Sequence, residues 1–364
     1  MKYYKKKRKF TLEKFRRIGV LTSGGDAPGM NAAVRAVVRT ALDKGVEVVG
    51  IYGGYKGMID DDMKVLDPRD VSNIIGRGST FLYSARCDEF RYEEGMQKAI
   101  ANCKNRGIDG VIAIGGDGTF RGATDLSNRG LPTIGIPGSI DNDVTATDYC
   151  IGFDTAMNTV VEMCDRLRDT CDSHDRCSVV EVMGRYAGHI ALRTAVACGA
   201  SAVCINELPF DEEACYARLI EEKNSGKHCF IVIVAEGNGD YGEQLTKRIE
   251  AATGIESRFT RLGHVQRGGR PTLEDRLAAS RMGQKAVECL LAGQSNVVVC
   301  QRGYDITTLD INYAQNIDRM YKKKLSDEQI AALDPAVREE MEAFCKMREG
   351  QIKDLYELVY EMAR

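Results

Sequence analysis

Gly110-Val111-Ile112-Ala113-Ile114-Gly115-Gly116-Asp117-Gly118-Thr119 and Thr133-Ile134-Gly135-Ile136-Pro137-Gly138-Ser139-Ile140-Asp141-Asn142-Asp143 decide how this chain folds. Each stretch is a short apolar run closed by a polar, glycine-bearing turn. Such runs read as buried parallel strands whose carboxyl ends open into a crevice. Glycines let a backbone approach phosphates closely, and a carboxylate beside them can hold a divalent cation. A second carboxylate can accept the proton of an attacking hydroxyl, so the pair of turns points to phosphoryl transfer. Gly115-Gly116-Asp117-Gly118 by itself also fits an ordinary tight turn, because short glycine motifs are weak signals alone. Asp141 and Asp143 flanking Asn142 straight after a strand are harder to explain that way, since a fold gains little from like charges there.

Working outward, the composition is that of a globular enzyme: 364 residues, long enough for two domains, 43% hydrophobic and 28% charged. No apolar run approaches the ~20 residues of a membrane helix, and the N-terminus has no signal-peptide core. A cytoplasmic protein with no membrane partner is expected. The thirteen cysteines are scattered, odd in number and without a Cys-x-x-Cys pair, which fits small buried hydrophobes in a reducing compartment. Of four histidines, only His264 sits in a stretch that suggests chemistry. The net charge of −3 hides an asymmetry: residues 1–17 hold nine Lys or Arg and one Glu, a balance of +8, leaving −11 for the rest. We read 1–17 as a solvated basic tail rather than a nucleic-acid contact.

Upstream, Ile18-Gly19-Val20-Leu21-Thr22 reads as the first strand and runs into Ser23-Gly24-Gly25-Asp26-Ala27-Pro28-Gly29-Met30-Asn31. A helix follows, with Ala33, Val34, Val37, Val38 and Leu42 at helical spacing. A strand, a glycine turn and a helix start together suit anionic phosphate. This turn is neither a Gly-x-Gly-x-x-Gly dinucleotide turn nor a Gly-x4-Gly-Lys-Ser/Thr loop, and the expectation that neither string occurs anywhere in the chain argues against ordinary dehydrogenases and P-loop enzymes. A strand at Val46–Tyr52 comes next, then Arg86-Cys87 near glycine turns, with Tyr83 and Phe90 read as packing. Downstream lie a helix around Asp154–Thr170, the strand Cys177–Val182 flanked by Arg176 and Arg185, and the strand Phe230–Val234 before Glu236. Arg258 and Gly263-His264-Val265-Gln266-Arg267 follow. Four arginines, Arg176, Arg185, Arg258 and Arg267, each beside a strand end or glycine turn, suit a substrate carrying its own phosphate.

The string Leu21 to Asn31, the turn Gly115 to Thr119 and the turn Pro137 to Asp143 together resemble the ATP-dependent 6-phosphofructokinases of the bacterial type, over most of residues 18–316. The resemblance implies transfer of the γ-phosphoryl of ATP to the 1-hydroxyl of fructose 6-phosphate, with Mg²⁺. It assigns Asp141 as general base, Asp117 to Mg²⁺, and Asp143 to the orientation of the surroundings of the metal. Gly25, Arg86, Cys87, Gly116, Asp117, Gly118 and Thr119 would hold ATP. Ser139, Ile140, Asp141, Met183, Gly184, Arg185, Glu236, His264, Val265, Gln266 and Arg267 would surround the sugar phosphate. Arg176 and Arg258 would reach into a neighbouring subunit of a homotetramer. Pyrophosphate-dependent relatives carry Asp at the position of Gly118 and Lys at that of Gly138, so ATP is the expected donor. Arg35, Arg39 and Arg168 match effector-site arginines for ADP or phosphoenolpyruvate, whereas Pro68, Ser201 and Ser225 depart from that pattern.

The fold implied is α/β: two Rossmann-like three-layer domains with mainly parallel sheets, the active site in the crevice between them, plus a C-terminal helical extension. The larger, ATP-binding domain would take 18–151 and 264–317, the smaller, sugar-phosphate-binding domain 152–263, and the extension 318–364. Ser326-Asp327-Glu328-Gln329 is a capping-box start, and Val337, Met341, Phe344, Ile352, Leu355, Val359 and Met362 follow helical spacing. The extension is expected to pack on its own or a neighbouring subunit, away from catalysis. Gly-Gly-Asp-Gly-Thr also occurs in NAD kinases and diacylglycerol-type lipid kinases, which lack the Asp141-Asn142-Asp143 motif and the downstream arginines. A non-catalytic regulatory subunit would be free to lose Asp117, Asp141 and Asp143. Another sugar phosphate, such as sedoheptulose 7-phosphate, is excluded by no residue.

Overall fold

The computed structural model describes residues 15–237 and 239–363, so most of the basic N-terminal run lies outside the described residues. Its last residues do not behave as a tail. Phe15 is buried, and Arg17 opens the first strand opposite Glu47, with which it pairs at 2.7 Å.

Among the described residues there are eleven strands: β1 (Arg17–Thr22), β2 (Glu47–Ile51), β3 (Met63–Leu66), β4 (Gly110–Gly115), β5 (Thr133–Pro137), β6 (Cys177–Val182), β7 (Ala202–Cys204), β8 (Phe230–Ala235), β9 (Ser257–Arg261), β10 (Val297–Arg302) and β11 (Asp305–Asp310). They form two sheets, in the orders β11-β10-β5-β4-β1-β2-β3 and β7-β8-β6-β9. The chain divides into two compact units, one built on each sheet.

The first unit holds residues 15–138, Ala146–Ile151 and Pro271–Gln315. Its five central strands are parallel, and only the edge strands β3 and β11 run antiparallel. Along β1, β2 and β4 alternate residues Leu21, Val49, Ile51, Val111 and Ala113 join Tyr55, Met58, Phe90, Met96 and Ile100 in one core, as period-two alternation requires. Helices Met30–Asp43 and Leu273–Leu291 cover the other face and cross closely. A Cβ on Gly283 would lie 2.6 Å from Ala36 Cβ, so that crossing needs a glycine.

The second unit holds Ser139–Thr145, Gly152–Arg270 and the chain from Asn316 onward. Its sheet is wholly parallel. Cys177, Val179, Val232 and Val234 pack with Tyr216, Leu219, Leu245 and Ile249 on one face, and the helix Phe153–His174 lies against β6 and β8. The unit boundaries differ from the expected domains. The loop Ser139–Thr145 and residues 264–270 belong here, because Thr145 is bound by Asp318 and Met183 by Gln266.

The C-terminal segment packs on its own chain. Ser326 and Gln329 form the expected capping box, and the helix Pro335–Met362 lies against the helix His189–Ala197 and β7. Met341, Ile352 and Val359 are its buried residues, whereas Met362, expected on that face, is exposed. Arg218 Nη1 donates to the Tyr360 carbonyl at 2.9 Å with its guanidinium over the Tyr360 ring, and the Tyr360 hydroxyl reaches the Val203 carbonyl on β7. Eleven of the thirteen cysteines are buried; Cys87 and Cys345 are half-buried.

Candidate active site

In the first unit the phosphate-suited turns of β1 and β4 sit side by side, as the pairing of Thr22 with Ile114 dictates. Ser23 N–H donates to the Ile114 carbonyl at 2.9 Å, and the Thr119 hydroxyl donates to the Ser23 carbonyl at 3.2 Å. A Cβ on Gly115 would fall 2.3 Å from both Ser23 O and Thr119 Oγ1, so only glycine allows this approach. Gly24 takes φ +85 and its carbonyl accepts from the Ser84 hydroxyl, which ties the Gly24-Gly25 turn to the segment carrying Arg86 and Cys87. Gly25 and Arg86 are exposed and Cys87 half-buried, all in this unit.

Asp117 opens the helix Asp117–Asn128, where a carboxylate meets the positive end of the helix dipole. Its partner is Arg121, 3.0 Å away on the next turn. Beside it, Gly116 and Gly118 face open space: a Cβ on either would meet nothing within 4 Å. One accessible carboxylate in an open glycine turn fits Mg²⁺, which keeps waters and phosphate oxygens as its other ligands. Gly138 differs, since a Cβ there would lie 2.8 Å from Met30 Cε. Tyr55, which the sequence reading passed over, stacks on Phe90 at 4.3 Å and donates its hydroxyl to the Thr119 carbonyl at 2.5 Å. Phe90 is thus a packing residue as expected; Tyr83 is not, being 67% exposed where its φ of +56 turns it outward.

In the second unit the strand ends of β6 and β8 meet at Glu236. Its Oε1 accepts from Gly184 N–H at 3.2 Å and Arg185 N–H at 2.8 Å. Gly184, at φ +147, could not carry a side chain without meeting the Ala187 carbonyl at 2.4 Å. Gln266 is fully buried: its Oε1 accepts from Met183 N–H and its amide donates to the Gly263 carbonyl, so it joins two turns. Ile140 is also fully buried, whereas His264 and Val265 are exposed and Met183 lies just inside the surface.

Asp141 is only 4% exposed, and its Oδ1 is buried without a hydrogen-bond partner among the described residues. Ser139 Oγ accepts from Asp141 N–H at 3.2 Å. Burial first, then the Asp143 charge, push the Asp141 carboxyl up to about 6, with Arg267 and Arg185 opposing and Glu236 adding to the rise. Two of the four arginines therefore face Asp141. The other two lie at the opposite end of the sheet, where Arg176 pairs with Glu256 at 3.0 Å and Arg258 meets the same carboxylate.

The sequence reading missed two neighbours of Asp143. Lys322 donates to its carbonyl, and His189 is held neutral, down to about 4, by burial, Arg193 and Arg348, with Asp143 opposing. Neither lies in a recognisable motif, so only the fold reveals them. A Gly-x-Gly-x-x-Gly string does occur at Gly237 to Gly242, but a Cβ on Gly242 would meet Phe259 at 2.7 Å, which gives that glycine a packing reason. Of the effector candidates, Arg35 and Arg39 lie one turn apart on the helix Met30–Asp43; Arg39 donates to the Pro68 carbonyl, and Arg35 Nε is buried without a partner among the described residues. Arg168 is in the second unit and donates to the Cys198 carbonyl.

The chain matches the family model described as phosphofructokinase over residues 17–290. It is 52% identical over 312 residues to the ATP-dependent 6-phosphofructokinase of Clostridium botulinum (strain Loch Maree / Type A3), covering 86% of this chain and 98% of that protein. It is 50% identical to ATP-dependent 6-phosphofructokinase 1 of Clostridium perfringens, covering 85% and 97%. Among solved structures, phosphofructokinase from Saccharomyces cerevisiae superposes with a TM-score of 0.80 at 32% identity, over 90% of this chain but half of that longer one. With the motifs, both sheets and these relatives in agreement, the chain belongs to the phosphofructokinase family.

Proposed function

We propose that this protein is an ATP-dependent 6-phosphofructokinase, transferring the γ-phosphoryl of ATP to the 1-hydroxyl of D-fructose 6-phosphate to give fructose 1,6-bisphosphate and ADP. The relatives with nearly full-length coverage carry that name. The observation that carries the mechanism is Asp141: a buried carboxyl with an unpartnered oxygen, shifted up to about 6, between Asp143 and Glu236 on one hand and Arg185 and Arg267 on the other. Above that pH it is ionised, and a poorly solvated carboxylate is a strong acceptor for the 1-hydroxyl proton as attack proceeds. Arg185 and Arg267 present permanent charge to the sugar phosphate, and Glu236 fixes the turn from which Arg185 projects. Gly25, Arg86, Cys87 and Gly116 to Thr119 hold the nucleotide. Asp117 holds Mg²⁺, which when bound neutralises phosphate charge. The open space at Gly118 supports a donor larger than pyrophosphate.

Within this reading, Arg176 and Arg258 serve the site of a neighbouring subunit in a homotetramer, and Arg35, Arg39 and Arg168 each act as effector-binding arginines for ADP or phosphoenolpyruvate. A cytoplasmic location fits glycolytic work; no helix among the described residues is long and apolar enough to cross a membrane. The test offers fructose 6-phosphate with ATP or with pyrophosphate, with Mg²⁺ present and Asp141→Asn alongside. Transfer from ATP alone, lost in the variant, is expected. Transfer from pyrophosphate would overturn the reading of Gly118, and transfer from neither donor would overturn the activity.

A further inference from the structure

The chain beyond residue 290 lies outside the family match, and its sequence carries no catalytic motif. It nevertheless grips the loop that follows Asp141. Lys322 comes directly after the helix Ile311–Tyr321. Its Nζ donates to the Asp143 main-chain carbonyl at 2.8 Å and lies 3.5 Å from Asp143 Oδ2 and 2.9 Å from Asp318 Oδ2. One turn earlier, Asp318 Oδ1 accepts from the Thr145 hydroxyl at 2.7 Å and from Thr145 N–H at 3.3 Å. The loop is thus bound on both sides of Val144 from one helix end. These side chains are largely removed from water, which makes each contact stronger than a surface pair.

The loop has a conformational reason to need holding. Asn142 sits between the two aspartates at φ +50, a left-handed backbone that persists where its surroundings over-determine it. Asp141 Oδ1 has no hydrogen-bond partner among the described residues, so no bond to that atom fixes its aim. Where its carboxyl points therefore depends on where the backbone of 141–145 is held, together with the charges of Arg185 and Arg267 that face it.

We propose that Lys322 is a positioning residue for phosphoryl transfer: by binding both the carbonyl and the carboxylate of Asp143, it sets where Asp141 presents its carboxyl. What Asp141 does there rests on the proposed function above. The loss expected on removing Lys322 is one of rate, because a catalytic group displaced by about 1 Å costs on the order of 100-fold while ground-state contacts remain.

The test compares the full-length protein with Lys322→Met and Lys322→Arg by steady-state kinetics with fructose 6-phosphate and ATP, and by amide hydrogen exchange of the peptide spanning Ser139 to Thr147. Lys322→Met is expected to lower kcat roughly 10- to 100-fold with KM for the sugar within about threefold, and to speed exchange in that peptide. Lys322→Arg is expected to restore most of both. A Lys322→Met protein with kcat within about twofold of the parent and unchanged exchange overturns the proposal. So does a loss confined to KM, or an arginine variant impaired as badly as methionine. Should Lys322→Met fail to fold, Lys322→Gln, which keeps a donor and drops the charge, is read in the same way. If the parent protein does not phosphorylate fructose 6-phosphate, the proposed function falls, while exchange in the peptide still decides whether Lys322 holds the loop.

Discussion

Replacing Asp141 with Asn is expected to destroy turnover and to make the protein harder to unfold. In the proposed mechanism the substitution removes the proton acceptor, which is worth ~10²–10⁴-fold in kcat. The second effect follows from burial. The folded chain raises this carboxyl from 3.8 to about 6, with desolvation the largest cause and Asp143 next. That corresponds to about 3 kcal/mol of destabilisation when the group is ionised, at 1.36 kcal/mol for each pH unit. The sign is fixed by linkage: the folded state binds the proton more tightly than the unfolded state. The contribution to stability is therefore complete below pH 3.8 and lost as pH rises through about 6. Asparagine has no such titration. At roughly 2–4 °C per kcal/mol for units of this size, the variant melts several degrees above the parent at about pH 7.5, with ~10 °C as a ceiling. The gap narrows toward pH ~5 as the parent takes up its proton. Differential scanning calorimetry at the two pH values decides it. A variant no more stable than the parent at the higher pH, or a gap that ignores pH, would refute the claim that Asp141 is held charged at a cost.

Gly118→Asp and Gly138→Lys separate two glycines that look alike in the sequence. The first, facing open space, is expected to leave the melting temperature unchanged while raising KM for ATP; the second, crowding Met30, is expected to lose ~1–3 kcal/mol in denaturant unfolding. Glu236→Ala leaves the N–H groups of Gly184 and Arg185 without their carboxylate, and a rise of ~10-fold or more in KM for fructose 6-phosphate is expected in initial-rate assays. Chelation of divalent metal by EDTA is expected to abolish transfer with the fold intact by circular dichroism, and added Mg²⁺ to restore it.

The two apolar runs before Gly115 and Gly138 were legible as buried parallel strands because runs of four or five residues, rich in β-branched side chains and closed by glycine, are too short for a buried helix. The helices read as well, since Val34, Val37 and Val38 recur at helical spacing and are buried. The boundary between the units was not legible. Ser139 to Thr145 continues directly from β5, yet its anchors, Asp318 and Lys322, lie more than 170 positions away, and no local pattern encodes such a pair. The same blindness hid His189, an unremarkable residue at a helix start until the fold sets it among Asp143, Arg193 and Arg348. Gln266 shows the converse. A motif put it near the sugar phosphate, while its burial and its bonds to Met183 and Gly263 give it the task of joining two turns.

The C-terminal helix also bears on how this protein behaves when crowded with copies of itself. The second sheet ends in two unlike edges. β9 carries Arg258 and Arg261, and charged side chains on an edge discourage another strand from adding to it. β7 is Ala202-Val203-Cys204, apolar and without the charges that protect β9, so its brevity is the one defence its own residues set against foreign strands. It is the one that the helix Pro335–Met362 overlies, with the Tyr360 hydroxyl on the Val203 carbonyl and Arg218 securing that helix turn. A chain cut back before Pro335 is therefore expected to scatter light on mild warming, at temperatures where its circular dichroism is still that of the folded protein.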